Sequence, residues 1–296
     1  MQNQLALFVG IFVCCANAIF AQLPENLTAI FKYQRVAIPK YQTDSTFVVR
    51  NVWAERIVFT GADSFKISAY VTRPSDYREN RPLVLFNHWA QGGKDEFLQQ
   101  AMLLSSRGFV CILIDGPWLC PDSPIKSFKD QSYEIYRQYV MNARSAIDLA
   151  QQQFKVNDDK IFCVGHSFGC NTAAILSGVD KRIDYFVFMS GLYSTTKNAR
   201  ESLVPDFVKW RTDSPEQFKA WVAQMQPLDA ELYLPYKTAP CLIQIAGKDE
   251  YLSDAENDAF IRLTPVPKEV KVYDSGHGLN AVADGDRVEW ILRQVQ

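Results

Sequence analysis

Gly165-His166-Ser167-Phe168-Gly169 sets a serine between two glycines, directly after the apolar run Ile161-Phe162-Cys163-Val164. A G-x-S-x-G segment that leaves a strand and opens a helix is a turn sharp enough to expose the serine Oγ. Its glycines let strand and helix approach without a Cβ clash. The helix start points backbone N–H groups at any negative oxygen that develops beside the serine. The chemistry implied is nucleophilic attack on an acyl carbon. A glycine-rich turn with a bystander serine is the plainer alternative, and the strand and helix patterns on either side weigh against it.

Serine is a weak nucleophile near neutral pH and needs a base within hydrogen-bond reach. The chain has only 3 histidines, so elimination works. His166 sits beside Ser167 and points away from its Oγ, which suits a packing or supporting role. His88 ends the apolar run "PLVLFNH" but precedes the serine, against the order serine, acid, histidine expected of such a nucleophile; a structural hydrogen bond suits it better. His277 lies in "DSGHGL" after the last strand-like run and is the expected base. The acid that orients the imidazole should follow the preceding strand, where "CLIQIAGKDE" ends. Asp249 is the choice there, with Asp254 a distant second: Glu250 would point elsewhere, and Asp254 and Asp258 fall in the next helix, where surface charges are expected. The oxyanion donors expected are the backbone N–H of Phe168 and one from the loop "NHWAQGGKDE", with Ala90 preferred and Trp89 the fallback. Trp89, Trp118 and Tyr193 are candidate pocket walls, although packing explains any one of them.

Strands and helices must bring these residues together. "TFVVRNVWAERIVF" and "FKISAYVTRP" read as an antiparallel hairpin or meander. Five further apolar runs follow, at 82–88, 109–115, 161–165, 184–191 and 240–247, and "EVKVYD" makes a last one. Amphipathic helices separate them, over 95–107, over about 132–154 and after Ser167, and "DGDRVEWILRQV" closes the chain. Apolar strands alternating with helices predict a mostly parallel sheet of about eight strands covered on both faces. Ligands of such sheets bind outside the carboxyl ends of the strands. About 45 residues, 192–238, interrupt the alternation with one clear helix, "SPEQFKAWVAQM", opened by Ser214 and Pro215. They predict a small cap whose aromatics include Tyr193, Phe207, Trp210 and Trp221.

From about Ile57 to Ile291 these residues resemble the α/β-hydrolase superfamily, and within it the dienelactone hydrolase and acetyl-xylan-esterase-like branch. "VNDDKIFCVGHSFG" is similar to that branch's lead-in to its nucleophile, and "AGKDE" and "DSGHG" to its acid and base loops. The resemblance implies an α/β-hydrolase fold and a serine esterase that needs no cofactor or metal. Two departures stand out. His88-Trp89 replaces the usual His-Gly after the third strand of that fold, and Ser167 stands where dienelactone hydrolases proper carry cysteine, which points to ester substrates. Cys170 is a small helix residue and no substitute nucleophile.

A formal net charge of −2 and no basic block argue against nucleic acid or an anionic membrane surface as partner. The partner expected is a small-molecule or polymer-derived ester. Leu5 to Phe20 is apolar and uncharged and ends in the small-residue sites Ala16-Asn17-Ala18 and Ala21. Residues 1–21 are read as a signal peptide, ahead of a retained anchor or a buried helix, so that 22–296 is the hydrolase domain of a secreted or periplasmic protein without stable membrane insertion. Cys111, Cys120, Cys163, Cys170 and Cys241 remain after cleavage; their odd number and irregular spacing are no disulfide framework, with one bridge through Cys120 or Cys170 left open. A prolyl-oligopeptidase-like peptidase is the main alternative, disfavoured because only about 60 residues precede the hydrolase strands. A catalytically dead binding module is a second, opposed by the intact Ser167, Asp249 and His277.

Overall fold

The computed structural model describes residues 22–36, 39–126 and 131–296; the expected signal peptide lies outside them. The sheet has nine strands: β1 (Tyr41–Val49), β2 (Val52–Thr60), β3 (Lys66–Pro74), β4 (Leu83–Asn87), β5 (Val110–Ile114), β6 (Ile161–His166), β7 (Tyr185–Met189), β8 (Cys241–Ala246) and β9 (Lys268–Tyr273). Their order across the sheet is β1-β2-β3-β5-β4-β6-β7-β8-β9. β1, β2, β3 and β5 pair antiparallel, and every pair from β5 to β9 is parallel. The ninth strand comes from the run "TFVVRNVWAERIVF", which breaks at Arg50, where φ is 57°, into β1 and β2.

Alternating side chains of the central strands feed two cores, as a sheet covered on both faces requires. Leu83 and Leu85 of β4, Ile112 and Ile114 of β5, and Ile161 and Cys163 of β6 join one core. It is closed by α3 (Ser132–Gln153) and α4 (Phe168–Val179). Val84 and Phe86, Cys111 and Leu113, and Phe162 and Val164 join the other, closed by α2 (Leu98–Ser106) and α9 (Ala281–Arg293). All of these strand side chains are essentially without solvent contact. Burying each contributes about 1.5–3 kcal/mol, so a polar residue in the middle of any of them would be strongly destabilising.

Chain order reverses at β4. From it the chain steps outward to β5, returns across β4 to β6, and then runs on in the opposite direction. Consecutive connections therefore part on either side of the carboxyl ends of β4 and β6, which opens a crevice there. The 192–238 segment holds α5 (Thr195–Glu201), α6 (Pro205–Asp213) and α7 (Pro215–Met225), two more helices than its sequence pattern indicates. α5 and α6 are short, and α6 has no buried residue, so neither shows a readable apolar stripe. Two further helices, α1 (Glu25–Ile30) and α8 (Asp254–Leu263), complete the fold. Among the described residues no helix is long and apolar enough to cross a membrane. Among the described residues Cys111, Cys120, Cys163, Cys170 and Cys241 are free and buried, so no bridge joins any two of them.

Candidate active site

Ser167 stands between β6 and α4 with φ 55° and ψ −117°, a strained conformation for a non-glycine residue. Its surroundings hold it there. A Cβ on Gly165 would lie 2.3 Å from the Gly169 carbonyl oxygen, and one on Gly169 would lie 2.1 Å from that of Asn87. Only glycine lets α4 pack this close to β6 and β4. The Ser167 N–H donates to Met189 O at 2.8 Å, and its carbonyl accepts from the N–H groups of Cys170 and Asn171. The serine Oγ is left pointing into the crevice at the carboxyl edge.

His277 arrives from the loop after β9. Its Nε2 lies 2.7 Å from Ser167 Oγ, and its Nδ1 lies 2.9 and 2.8 Å from the two carboxyl oxygens of Asp249, in the turn after β8. Nδ1 therefore carries the hydrogen, and Nε2 is free to accept the serine proton. The Asp249 side chain is 1% exposed. Burial alone would raise its pKa, but the bond from His277, the N–H groups of Tyr251 and Leu252 and the imidazole charge outweigh it and hold the carboxyl below the usual aspartate value. The site thus keeps an ionised acid behind the imidazole.

The other two histidines serve the loops. His88 accepts from the Gly116 N–H through Nε2 at 2.7 Å and donates from Nδ1 to Trp89 O at 2.6 Å. Burial pushes its pKa below the ordinary histidine value, despite that carbonyl and the nearby Glu96, Asp115 and Asp95. It is a neutral strut. His166 turns away from Ser167, with Nδ1 2.6 Å from Glu96 Oε1 and Nε2 donating to the His277 carbonyl at 3.0 Å.

The oxyanion expectations separate. Phe168 opens α4 directly after Ser167, so its N–H belongs to the first turn of that helix. The Ala90 N–H donates to no acceptor among the described residues, which leaves it available. The fallback, Trp89, is ruled out as a donor because its N–H is taken by Glu96 Oε2 at 2.9 Å.

Among the candidate pocket walls, Trp118 packs edge-on against Phe168, His88 and Tyr139, and Tyr193 borders a cleft of about 890 Å³ on the opposite, acid-loop side. That cleft runs between α5 and α8 and takes in Asp249 and Tyr251, whose exposed ring stands edge-on to His277 at 4.9 Å. Asp254 and Asp258 are exposed on α8, and the carboxyl bonded to the imidazole is that of Asp249. Glu250 is not idle: its Oε2 accepts the His277 backbone N–H at 3.1 Å. Glu250 and Glu96 gave no motif to read in the sequence, because each acts on a main-chain group that only the folded loops bring near. Among the described residues no group of three or more His, Cys, Asp or Glu could hold a metal ion. Burial pushes the Cys170 thiol well up, which makes it a poor nucleophile.

The nine-stranded mixed sheet, with helices on both faces and a serine at a strand-to-helix elbow, is an α/β-hydrolase fold. No protein-family profile matches the chain, and no curated protein matches it in sequence. Solved structures do. The chain is similar to an acetyl xylan esterase from Paenibacillus sp. R4, at 18% identity and a TM-score of 0.74 over 90% of this chain and 91% of that one. It is also similar to acetyl xylan esterase 1 from Thermoanaerobacterium sp. JW/SL YS485, at 14% identity and a TM-score of 0.76 over 92% and 94%. A third is Est1E from Butyrivibrio proteoclasticus with ferulic acid bound, at 19% identity and a TM-score of 0.63 over 79% and 97%. At such identities the likeness bears on the fold.

Proposed function

We propose that this chain is a serine hydrolase that cleaves carboxylic esters through an acyl-enzyme. Ser167 Oγ attacks the ester carbonyl carbon while His277 Nε2 takes its proton, with Asp249 stabilising the imidazolium. The tetrahedral oxyanion is held by the N–H groups of Phe168 and Ala90. Collapse expels the alcohol, which leaves with the proton from His277. Water, deprotonated by the same imidazole, then attacks the acyl carbon and releases the acid and Ser167. The observation that carries this reading is the hydrogen-bonded line from Ser167 Oγ through His277 to Asp249, at 2.7 and 2.8 Å. The names of the structurally similar esterases agree with it, and a small-molecule or polymer-derived ester is the substrate class. Residues 192–238 act as a cap that shapes the leaving-group side, and the mature protein begins after Ala18 or Ala21 on export.

A series of p-nitrophenyl esters from acetate to palmitate, with an aminoacyl anilide alongside, tests the reaction class. Turnover of esters with negligible anilide cleavage is expected, together with a fluorophosphonate adduct mapped to Ser167. Faster cleavage of the anilide would establish the peptidase alternative instead. N-terminal sequencing of protein exported by its native host tests the leader; an intact Met1 on a membrane-bound form would make residues 1–21 an anchor.

A further inference from the structure

We infer that Glu96 and His166 form a positioning pair that holds the oxyanion loop and the base loop in register. This inference rests on the ester-hydrolase reading above. Glu96 follows the loop that leaves β4, and one of its oxygens, Oε2, accepts the Trp89 N–H at 2.9 Å. That bond fixes the peptide just ahead of Ala90, the proposed donor. The other oxygen, Oε1, lies 2.6 Å from His166 Nδ1, and His166 Nε2 donates to the carbonyl of His277 at 3.0 Å. One unbroken line of hydrogen bonds thus runs from the oxyanion loop to the backbone of the base. Both ring nitrogens of His166 face oxygen, so a hydrogen is needed on Nε2 and another must be shared within the short pair with Glu96.

Packing makes this line stiff. The side chains of His166 and Glu96 are 5% and 18% exposed. The Trp89 ring stacks on His166 at 6.2 Å between centroids and 26° between planes. A Cβ on Gly92 would lie 2.4 Å from the Trp89 ring and 3.1 Å from Glu96 Oε2, so the loop folds back on itself only with glycine there. His166 occupies the variable position of the G-x-S-x-G turn and rides on the same strained backbone as Ser167. The pair therefore references both loops to the nucleophile itself. Neither residue touches substrate. Their effect falls on the placement of a donor and a base that act in the transition state.

The test compares kcat, KM and inhibition by a trifluoromethyl ketone, which forms a tetrahedral adduct with a serine, across three variants. Glu96→Ala removes both bonds and should lower kcat about 10²-fold with KM within a few-fold, while ketone affinity falls in parallel, since misplacing one oxyanion donor has effects of that order. Glu96→Gln still offers an oxygen to Trp89 and an N–H₂ to a neutral His166, and should recover most of the lost rate. The double change Glu96→Leu with His166→Phe replaces the buried pair by apolar groups of similar size. It should fold with a modestly lowered Tm, because the Trp89 N–H and the His277 carbonyl lose their partners, and show the same kcat loss in a folded protein, which separates positioning from stability. An active wild type whose folded double variant keeps kcat and ketone affinity within twofold overturns the positioning role alone. A wild type that turns over no ester overturns the hydrolase reading, and this role with it.

Discussion

The elbow after β6 and the α5–α6 stretch after β7 each follow the carboxyl end of a strand and are built on opposite terms. Every residue of α4 from Phe168 to Gly178 is buried. α6 has none buried, and α5 to α7 form a small cluster of their own from Ala199, Phe218 and Val222 with the half-buried Phe207, Trp210 and Trp221 against it, whereas Met225, Leu228, Tyr233 and Leu234 further along join the main core. A strained serine at φ 55° persists only where surrounding atoms leave its backbone nowhere else to go. The α5–α6 stretch beside the acid-loop cleft carries no such demand. On the proposed function, the contrast separates where the chemistry would be held from where a substrate would be chosen.

The sharpest way to break that contrast is to remove the reacting groups without disturbing the fold. Ser167→Ala and His277→Ala should each lower kcat by roughly 10⁴-fold or more, and Asp249→Asn by a similar factor, because such residues act as a unit. Tm of the serine variant should stay close to wild type. A Ser167→Ala protein that keeps a tenth of the activity would remove the nucleophile assignment.

Next in size is the packing of the elbow. Gly169→Ala would drive a Cβ to 2.1 Å from the Asn87 carbonyl oxygen, which only a backbone shift relieves. Overpacking of this kind costs about 1–3 kcal/mol, and here it should also disturb Ser167 and lower kcat. Gly285→Ala on α9 is the control, since nothing lies within 4 Å of the added Cβ. It should stabilise by about 0.5–1 kcal/mol through helix propensity. Equal urea midpoints for the two variants would show that the elbow is looser than its geometry implies.

A smaller effect comes from Asp249. Its folded-state pKa is depressed, so the stabilisation it contributes is complete above the unfolded aspartate value of about 3.9 and is lost as pH falls through the lower folded value. The stability difference between wild type and Asp249→Asn, measured by urea unfolding, should therefore hold steady from neutral pH down to about 4 and shrink below it. A difference that stays constant to pH 3 would mean that the carboxyl is not held ionised by its partners.

Most of the candidate site was legible because its residues speak through local pattern. Ser167 carries glycines on both sides, and His277 and Asp249 each follow an apolar run that ends in a turn. Chain order then chose among three histidines. The central strands were equally plain, since burial on both faces leaves uninterrupted apolar runs. What escaped acts across sequence distance. Glu96 lies 70 residues before His166, and Glu250 reaches a backbone N–H 27 residues on. The Trp89 fallback failed for the same reason, because nothing in "NHWAQGGKDE" announces that its N–H is already taken by Glu96. The β1–β2 turn was missed because Arg50-Asn51 offers neither glycine nor proline, although Arg50 takes positive φ there.

The mildest substitution tests the loose side of the contrast directly. Leu203 stands between α5 and α6, is 87% exposed, and borders the cleft that runs past Tyr251. It contributes almost no buried area to the core, so Leu203→Ser should change folding stability by less than about 0.5 kcal/mol. Hydrolysis of p-nitrophenyl acetate should keep its kcat, since neither the acyl carbon nor the leaving nitrophenolate needs to reach that far into the cleft. An ester whose alcohol is bulky enough to enter the cleft should instead show KM altered a few-fold, the size expected for one apolar contact worth about 1 kcal/mol. A tenfold fall in kcat on the acetate, in a protein of unchanged Tm, would place 192–238 within the catalytic machinery and erase the distinction between the two regions.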